Sequence, residues 1–166
     1  MITQEELKKV LHYDYETGAF TWRTTSGKAR VGQEAGWLAN MSSRKECKYR
    51  FIGIKNKNYL AHRLAFLYML GRLPIKHVDH INHDGSDNRW INLREASSTD
   101  NNRNMPIRWD NKLGICGIKK DRNKWVAVIG ANSKQVRLGI FDNIFDAACA
   151  RKSAEKRYGY HQNHGI

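Results

Sequence analysis

The order of hydrophobic and polar positions divides the chain into a first part of mixed elements and a last third with a regular strand pattern. Thr3 followed three residues later by Glu6 is a capping-box pattern, and the hydrophobic residues after it share one helical face, so a short N-terminal helix is predicted. The segment "LAHRLAFLYMLG" is apolar on most sides. It predicts a buried helix that begins near Leu60 and ends at Gly71.

Shorter patterns lie on both sides of that helix. "EAGWL" and "YRFIGI" are typical of short strands, and "NRWINLREA" indicates a strand or extended segment. "SSTDNNRNM" predicts a short helix capped by Ser97 or Ser98, which Pro106 prevents from continuing.

The last third predicts a three-stranded sheet followed by a helix. "GICGIKK", "KWVAVIGA" and "QVRLGIF" indicate three strands, and "NIFDAACARKSAEKRYG" an amphipathic helix from Asn143 to just before Gly159. Because side chains alternate between the faces of a strand, one face suits packing against the alanine stripe of the helix. We expect the opposite face to be free and partly basic. It carries the side chains Lys119, Lys124, Gln135 and Arg137.

Charge adds a polyanionic partner to this picture. The 166 residues include 29 Lys and Arg against 16 Asp and Glu, a net charge of +13. Such an excess favours nucleic acid, because neutralising phosphates releases counterions. Residues 1–76 carry a net +8 and residues 111–166 a net +7, whereas residues 77–110 carry a net −2. Chance fluctuation is the alternative to a functional acidic island. The basic residues around 44–57 suggest a phosphate-tracking arm, with Arg50 and Lys55 as candidate DNA contacts, or a solvated hairpin.

The same composition argues against other classes. We find no run approaching the ~20 apolar residues of a membrane span, no signal peptide and no lipidation signal. The three cysteines, Cys47, Cys116 and Cys149, are far apart, which favours reduced thiols in a cytoplasmic protein over a cysteine zinc site. An RNA-binding sheet would need exposed stacking aromatics, in which the outward face of the last three strands is poor.

The acidic island contains the segment with the most candidate chemistry, "HVDHINHDGSDN". A calcium loop with Gly85 at its sixth position would need Glu at the twelfth, where Ile91 stands, so that interpretation fails. Three histidines at spacings of three alternate faces on a strand, which disfavours one shared zinc ion. A polar turn remains the plain alternative to a site for a hard, oxygen-ligated cation.

For such a cation, Asp79 offers a carboxylate and Asn101 an amide oxygen, and magnesium is commonly held by few protein oxygens with water and phosphate completing the shell. His80 is the neighbouring group able to accept a proton near neutral pH. Asn92 is placed to orient that imidazole by hydrogen bonding. Since adjacent strand residues point to opposite faces, Asp79 and His80 can share a site only at a strand end or bulge.

The segment from His62 to Asn104 resembles the HNH (His-Asn-His) endonuclease family in its phage and intron-encoded homing branch. The resemblance rests on the Asp-His pair, on "DNRWINLR" and on the "NN" of the following helix. It implies that His80 is the general base, that Asn92 orients it, and that Asp79 and Asn101 bind one divalent ion, Mg²⁺ or Mn²⁺. Asn102 is the rival for the third position.

The segment from Gly114 to Gly159 resembles the APETALA-type DNA-binding domain of plant ethylene-response factors. Its basis is "GIKK", "KWVAVI", "RLGIF" and "DAACARKSAEKRYG". The resemblance implies a sheet that reads the major groove of DNA through Lys119, Lys124, Gln135 and Arg137. Val128 and Gln135 stand where plant members have groove-facing arginines, so the same target sequence is not implied.

Together these patterns and resemblances predict an α+β chain: a ββα-metal (His-Me finger) nuclease core followed by a small three-stranded antiparallel sheet and one helix. We expect a basic N-terminal region at 1–59, the nuclease core at 60–108 and the DNA-binding domain at 112–160. The expected activity is site-specific nicking of double-stranded DNA by a monomer rather than a dimer, without a small-molecule cofactor or a membrane partner. The alternative is a non-catalytic DNA-binding regulator with a relic nuclease hairpin.

Overall fold

A computed structural model describes residues 2–25, 27, 29–40, 48–131 and 134–166. Among these residues the chain forms four α-helices, ten short strands and one turn of 3₁₀-helix, all strands pairing in small antiparallel sheets. The mixed α and β composition and the antiparallel sheets confirm the coarse fold class. Two compact units are present, Met1–Ser98 and Thr99–Ile166. No helix in the described ranges combines the length and hydrophobicity that a membrane crossing requires.

The first unit begins with the predicted capped helix. Thr3 accepts a hydrogen bond from the backbone of Glu6, whose side chain accepts one in return from the Thr3 backbone, so the capping box is confirmed. The helix leads into a two-stranded hairpin and then into a three-stranded sheet of order β3-β4-β5. These elements are α1 Gln4–Val10, β1 Leu11–Tyr13, β2 Phe20–Trp22, β3 Trp37–Asn40, β4 Lys48–Ile54 and β5 Lys57–Leu60. The neighbouring residues 41–47, which include part of the expected basic arm and Cys47, lie outside the described ranges.

The second half of this unit carries the candidate site. Helix α2, Ala61–Leu70, ends as predicted at Gly71, whose left-handed φ of 73° closes the last turn. Strand β6, His77–His80, pairs antiparallel with β7, Leu93–Ala96. The connecting loop ends in a 3₁₀ turn at Trp90–Asn92, so the segment expected to be extended begins with a helical turn instead.

One hydrophobic core joins both halves of the first unit. Leu7, Phe20 and Ile52 from the N-terminal elements pack in one cluster with Leu64 of α2 and Leu93 of β7. The packing therefore does not divide at residue 60, and the three expected domains stay a prediction. The β6–β7 hairpin is therefore supported in part by Leu7, which precedes the start of that hairpin by 70 positions.

The second unit contains the expected sheet and helix. Its elements are α3 Ser98–Asn102, β8 Ile118–Asp121, β9 Lys124–Ala131, β10 Lys134–Phe141 and α4 Ile144–Arg157. The strand order is β10-β9-β8, as predicted, and Asn143 caps α4 by accepting a hydrogen bond from the Asp146 backbone at 2.9 Å. The second predicted turn, at 132–133, lies outside the described ranges.

The two faces of this sheet differ less in solvent exposure than the alternation of side chains along the strands predicts. Ile118 and Ala127 pack against Ala147 of α4, as expected. On the opposite face, however, Val126 is only 3% exposed, so that face is not free along its whole length. Val126 lies on the middle strand, between Lys119 of β8 and Ile140 of β10.

The C-terminal tail is packed into the second unit through a buried ion pair. Arg151 is 4% exposed and donates to Glu155 Oε1 at 2.9 Å and to the carbonyl of Val128 at 2.6 Å. Its third contact, at 3.2 Å, is the ring nitrogen Nε2 of His164. The backbone of the tail also bonds to earlier residues, because the amide of Gly165 donates to the carbonyl of Met105 at 3.0 Å.

Candidate active site

The Asp-His pair lies at the end of a strand, the arrangement that the sequence required for a shared site. His80 is the last residue of β6 and pairs with Leu93, while Asp79 pairs with Arg94. Both side chains are buried, with 7% of Asp79 and 5% of His80 exposed, and the Asp79 charge acts on the His80 ring. His77, by contrast, is exposed at the other end of the strand.

Asn92 holds the loop that follows His80. Its Oδ1 accepts from the backbone amide of Asn82 at 3.0 Å, and its Nδ2 donates to the carbonyl of Asp87 at 2.8 Å. Its own carbonyl accepts from the amide of Ile81 at 3.0 Å. Within the described ranges its side-chain hydrogen bonds go to loop backbone, so the direct hydrogen bond to His80 that we expected is replaced by an indirect effect through the loop.

The amide side chain that acts on the His80 ring is that of Asn88. Asn88 raises the pKa of His80, as a hydrogen-bond partner of the protonated ring would. Among the described residues, Oδ1 of Asn88 nevertheless makes no hydrogen bond of ordinary geometry. Asn88 is 2% exposed, and its carbonyl accepts from the Tyr13 hydroxyl at 2.7 Å. A Cβ on Gly18 would lie 2.4 Å from the carbonyl carbon of Asn88, so the β1–β2 turn contacts the loop closely.

Burial makes His80 a proton acceptor. Desolvation lowers the pKa of His80 below its usual 6.5, and this effect exceeds the opposing influence of Asn88 and of the carboxylates Asp79, Asp84 and Asp87. Burial therefore favours the neutral form of the ring. A neutral imidazole beside a carboxylate is the state that a general base requires.

Two further aromatic rings contact His80. Its ring centroid lies 5.1 Å from that of His62 at an interplanar angle of 84°, and 5.8 Å from that of Tyr49. Tyr49 and His62 also contact each other at 5.7 Å. His62 is 6% exposed, and burial lowers the pKa of His62 to about 3, with smaller contributions from His80 and Arg63.

Arg94 binds the candidate metal-ligating carboxylate. Its Nε and Nη2 donate to Asp79 Oδ2 at 2.9 and 2.7 Å. This pair crosses between the two strands of the hairpin and places a positive charge against the buried carboxylate. A cation at Asp79 therefore has to share that carboxylate with the guanidinium group.

The other expected metal ligand belongs to α3. Asn101 and its rival Asn102 are both exposed there, and pairing of Asn101 with Asp79 stays a prediction. No group of three or more His, Cys, Asp or Glu side chains suited to a metal occurs in the part of the chain that the structure describes. A site built from one carboxylate and one amide would not form such a group.

The basic residues expected to contact DNA differ in their availability. Arg50 forms an ion pair with Glu34 at 2.8 Å, and Lys55 forms one with Glu6 at 2.7 Å. In the second unit Lys124 pairs with Asp142. The pairs of Lys55 and Lys124 are exposed, and such pairs contribute little and open readily. All four residues of the expected sheet face are exposed: Lys119, Lys124, Gln135 and Arg137.

Three residues of the site are not identified as functional by the sequence. His62 lies within the predicted buried helix, Tyr49 within the basic segment 44–57 and Arg94 within a segment expected to be extended. The one signal for Arg94 is its spacing, since two strands joined by a loop of this length bring it opposite Asp79. Nothing local indicates that Tyr49 and His62 meet His80, because their contacts join three separate elements.

Comparison with known families supports a nuclease. Residues 59–103, 45 of the 166, match the model of the HNH endonuclease family, a segment that contains α2, the β6–β7 hairpin and α3. Neither a curated protein nor a solved structure matches the chain. The matched segment is similar to an HNH endonuclease domain. This similarity supports the coarse prediction of a nuclease.

Proposed function

We propose that the chain is a metal-dependent DNA endonuclease of the HNH homing type that nicks double-stranded DNA at a specific site. The observation that carries this proposal is a buried His80 at the end of β6, beside Asp79, within the segment that matches the HNH family. A histidine in a solvated polar turn would be exposed, as His77 is.

In the proposed reaction His80 removes a proton from a water molecule, whose oxygen attacks phosphorus opposite the 3′ oxygen. The bond from phosphorus to the 3′ oxygen breaks, leaving a 5′-phosphate and a 3′ oxygen that takes up a proton from solvent water to become a hydroxyl. His80 then releases its proton to solvent. Asn92 and Asn88 support the base, the former by fixing the loop backbone and the latter by contact with the ring. One such site in a monomer cuts one strand at a time.

The donors present fit one hard divalent ion, Mg²⁺ or Mn²⁺. The Asp79 carboxylate and the Asn101 amide oxygen would hold it, and such an ion stabilises charge on the phosphate and the leaving oxygen. The buried position of Asp79 beside His80 at the end of β6 supports this assignment.

The second unit is proposed to bind the duplex through its exposed basic sheet face, in the manner of an APETALA-type domain. Lys119 and Arg137 lie on its outer strands and are exposed in the described structure. Binding by this face is sequence-specific only if side chains reach base edges in the major groove. We place the protein in the cytoplasm, where a DNA substrate is accessible.

The test uses supercoiled plasmid that carries the locus, which here means the DNA flanking the coding sequence of this protein. Reactions contain either Mg²⁺ or EDTA. We expect wild type to convert it to the nicked circle with Mg²⁺ only, His80→Ala to lose at least about a hundredfold in rate, and His77→Ala to match wild type. DNA affinity should be equal in all three. His77 is a matched control because it occupies the same strand but is exposed.

The non-catalytic regulator is the second candidate, and the engagement of Asp79 by Arg94 is the observation that favours it. If wild type binds the locus but neither it nor His80→Ala nicks DNA with Mg²⁺ or Mn²⁺, the regulator replaces the enzyme. Nicking that survives His80→Ala would instead contradict the assigned general base.

A further inference from the structure

Three aromatic side chains from three different elements meet at the candidate base. Tyr49 belongs to β4, His62 to the first turn of α2 and His80 to the end of β6, with ring centroids between 5.1 and 5.8 Å apart. The His80 imidazole therefore has another ring on two sides. Contacts between elements so distant in sequence are maintained by the tertiary fold.

The Tyr49 side of this cluster is fixed by the loop that follows His80. A Cβ on Gly85 would lie 2.8 Å from Cε1 of Tyr49 and 2.9 Å from the carbonyl oxygen of Lys48. Real Cβ atoms do not approach so closely, so glycine permits the loop to lie directly against the tyrosine. Tyr49 is thus held between the loop and the two imidazoles.

The His62 side of the cluster is not explained by helix stability alone. Histidine is a poorer helix former than leucine, and a buried imidazole carries the cost of desolvating two ring nitrogens. Among the described residues, Nδ1 of His62 is buried without a hydrogen-bond partner. A leucine would fill a similar volume without that cost, so the ring itself requires a reason.

We propose that His62 is a positioning residue that holds the His80 imidazole, by a T-shaped ring contact, in the orientation from which it accepts a proton. The inference rests on the proposed nuclease function and deepens it. A T-shaped aromatic pair contributes about 2- to 13-fold beyond its buried area. A correctly oriented base is a precondition of proton transfer, so losing the contact lowers turnover without changing DNA binding.

Two substitutions of His62 distinguish the effect of an aromatic ring from the effect of side-chain volume. His62→Phe retains a ring at the same position, whereas His62→Leu retains a similar volume without a ring. In plasmid nicking with Mg²⁺, below the melting temperature of every variant, we expect His62→Leu to lose about tenfold in kcat with KM unchanged. His62→Phe should stay within about threefold of wild type.

Other outcomes overturn the proposal. A merely structural histidine predicts that both variants lose activity in proportion to their folded fraction, measured by thermal melting. Wild-type kcat in His62→Leu would also contradict a positioning role. A shared rise of KM in both variants would instead make His62 a part of the DNA-binding surface.

A readout that needs no catalysis keeps this inference separate from the proposed function. In proton NMR, the signals of the His80 ring are identified by their loss in His80→Ala. We expect cross-relaxation between the His80 and Tyr49 rings to persist in His62→Phe and to weaken in His62→Leu. Equal cross-relaxation in both variants overturns the positioning role even if the enzyme is active. If the expected difference is seen but the protein does not nick DNA, the positioning role stands and only the nuclease function is contradicted.

Discussion

The approach of the β1–β2 turn to the candidate site gives a quantitative prediction for Gly18→Ala. Gly18 has a φ of +76°, and a Cβ there would lie 2.4 Å from both the carbonyl carbon of Asn88 and the amide nitrogen of Arg89. An ordinary contact needs about 1 Å more, and the obstructing atoms are backbone, which cannot rotate away. The turn and the loop must therefore separate.

The expected cost has three parts. A left-handed conformation costs a residue with a Cβ about 1–2 kcal/mol, and overpacking adds about 1–3 kcal/mol. Separation also weakens the 2.7 Å hydrogen bond from the Tyr13 hydroxyl to the Asn88 carbonyl, a contribution of about 1 kcal/mol. We expect Gly18→Ala to lower the free energy of unfolding by about 3–6 kcal/mol.

The matched control is Gly32→Ala. Gly32 has a similar φ of +81°, but a Cβ there would meet nothing within 4 Å. It should therefore cost only the conformational part, about 1–2 kcal/mol. Urea unfolding followed by circular dichroism measures both variants. If Gly18→Ala costs no more than Gly32→Ala, the close contact between turn and loop is refuted.

Three other predictions concern single side chains. Because the pKa of His62 is about 3 when folded and about 6.5 when unfolded, the unfolded chain binds the extra proton first, so stability is full above about pH 6.5 and falls toward pH 3. At pH 4.5 wild type should have lost about 2–3 kcal/mol of its free energy of unfolding through His62. In urea unfolding, the free energy of His62→Phe should therefore fall by about 2–3 kcal/mol less than that of wild type between neutral pH and pH 4.5. Arg94→Met leaves the Asp79 carboxylate without its ionic partner, so the melting temperature should fall without Mg²⁺ and should rise more with millimolar Mg²⁺ than it does in wild type; an equal Mg²⁺ effect in both would contradict metal binding at Asp79. Asn143→Ala removes the cap of α4 and should lower the free energy of unfolding in urea by about 1 kcal/mol. No effect is expected for the control Asn123→Ala, in the exposed turn between β8 and β9.

The sequence is sufficient to predict those helix ends that depend only on residues close by in the chain. The capping box at Thr3, the left-handed Gly71 and the Asn143 cap are all predictable, because each depends on a side chain or φ angle within a few residues. The strand-end position of His80 is also anticipated, since Asp79 and His80 can share a site only there or at a bulge.

The support of the site is less predictable, because it depends on contacts over long sequence separations. The 75 positions between Tyr13 and Asn88 carry no pattern that pairs a hydroxyl with that carbonyl. The sequence predicts a role for Asn92 on the imidazole, but a side chain that bonds two backbone groups of a loop can be recognised only once the loop conformation is known. Alternation likewise misjudges Val126, since burial depends on neighbouring strands as well as on strand face.

The packing of the C-terminal tail has a practical consequence for the choice of fragments. A fragment limited to residues 112–160, the range that the resemblance suggests, would lack His164, a hydrogen-bond partner of the buried Arg151. It would also lack Met105, to whose carbonyl the amide of Gly165 donates. Expression of the second unit by itself should therefore start at Thr99 and run to Ile166, with any affinity tag on a spacer beyond the last residue.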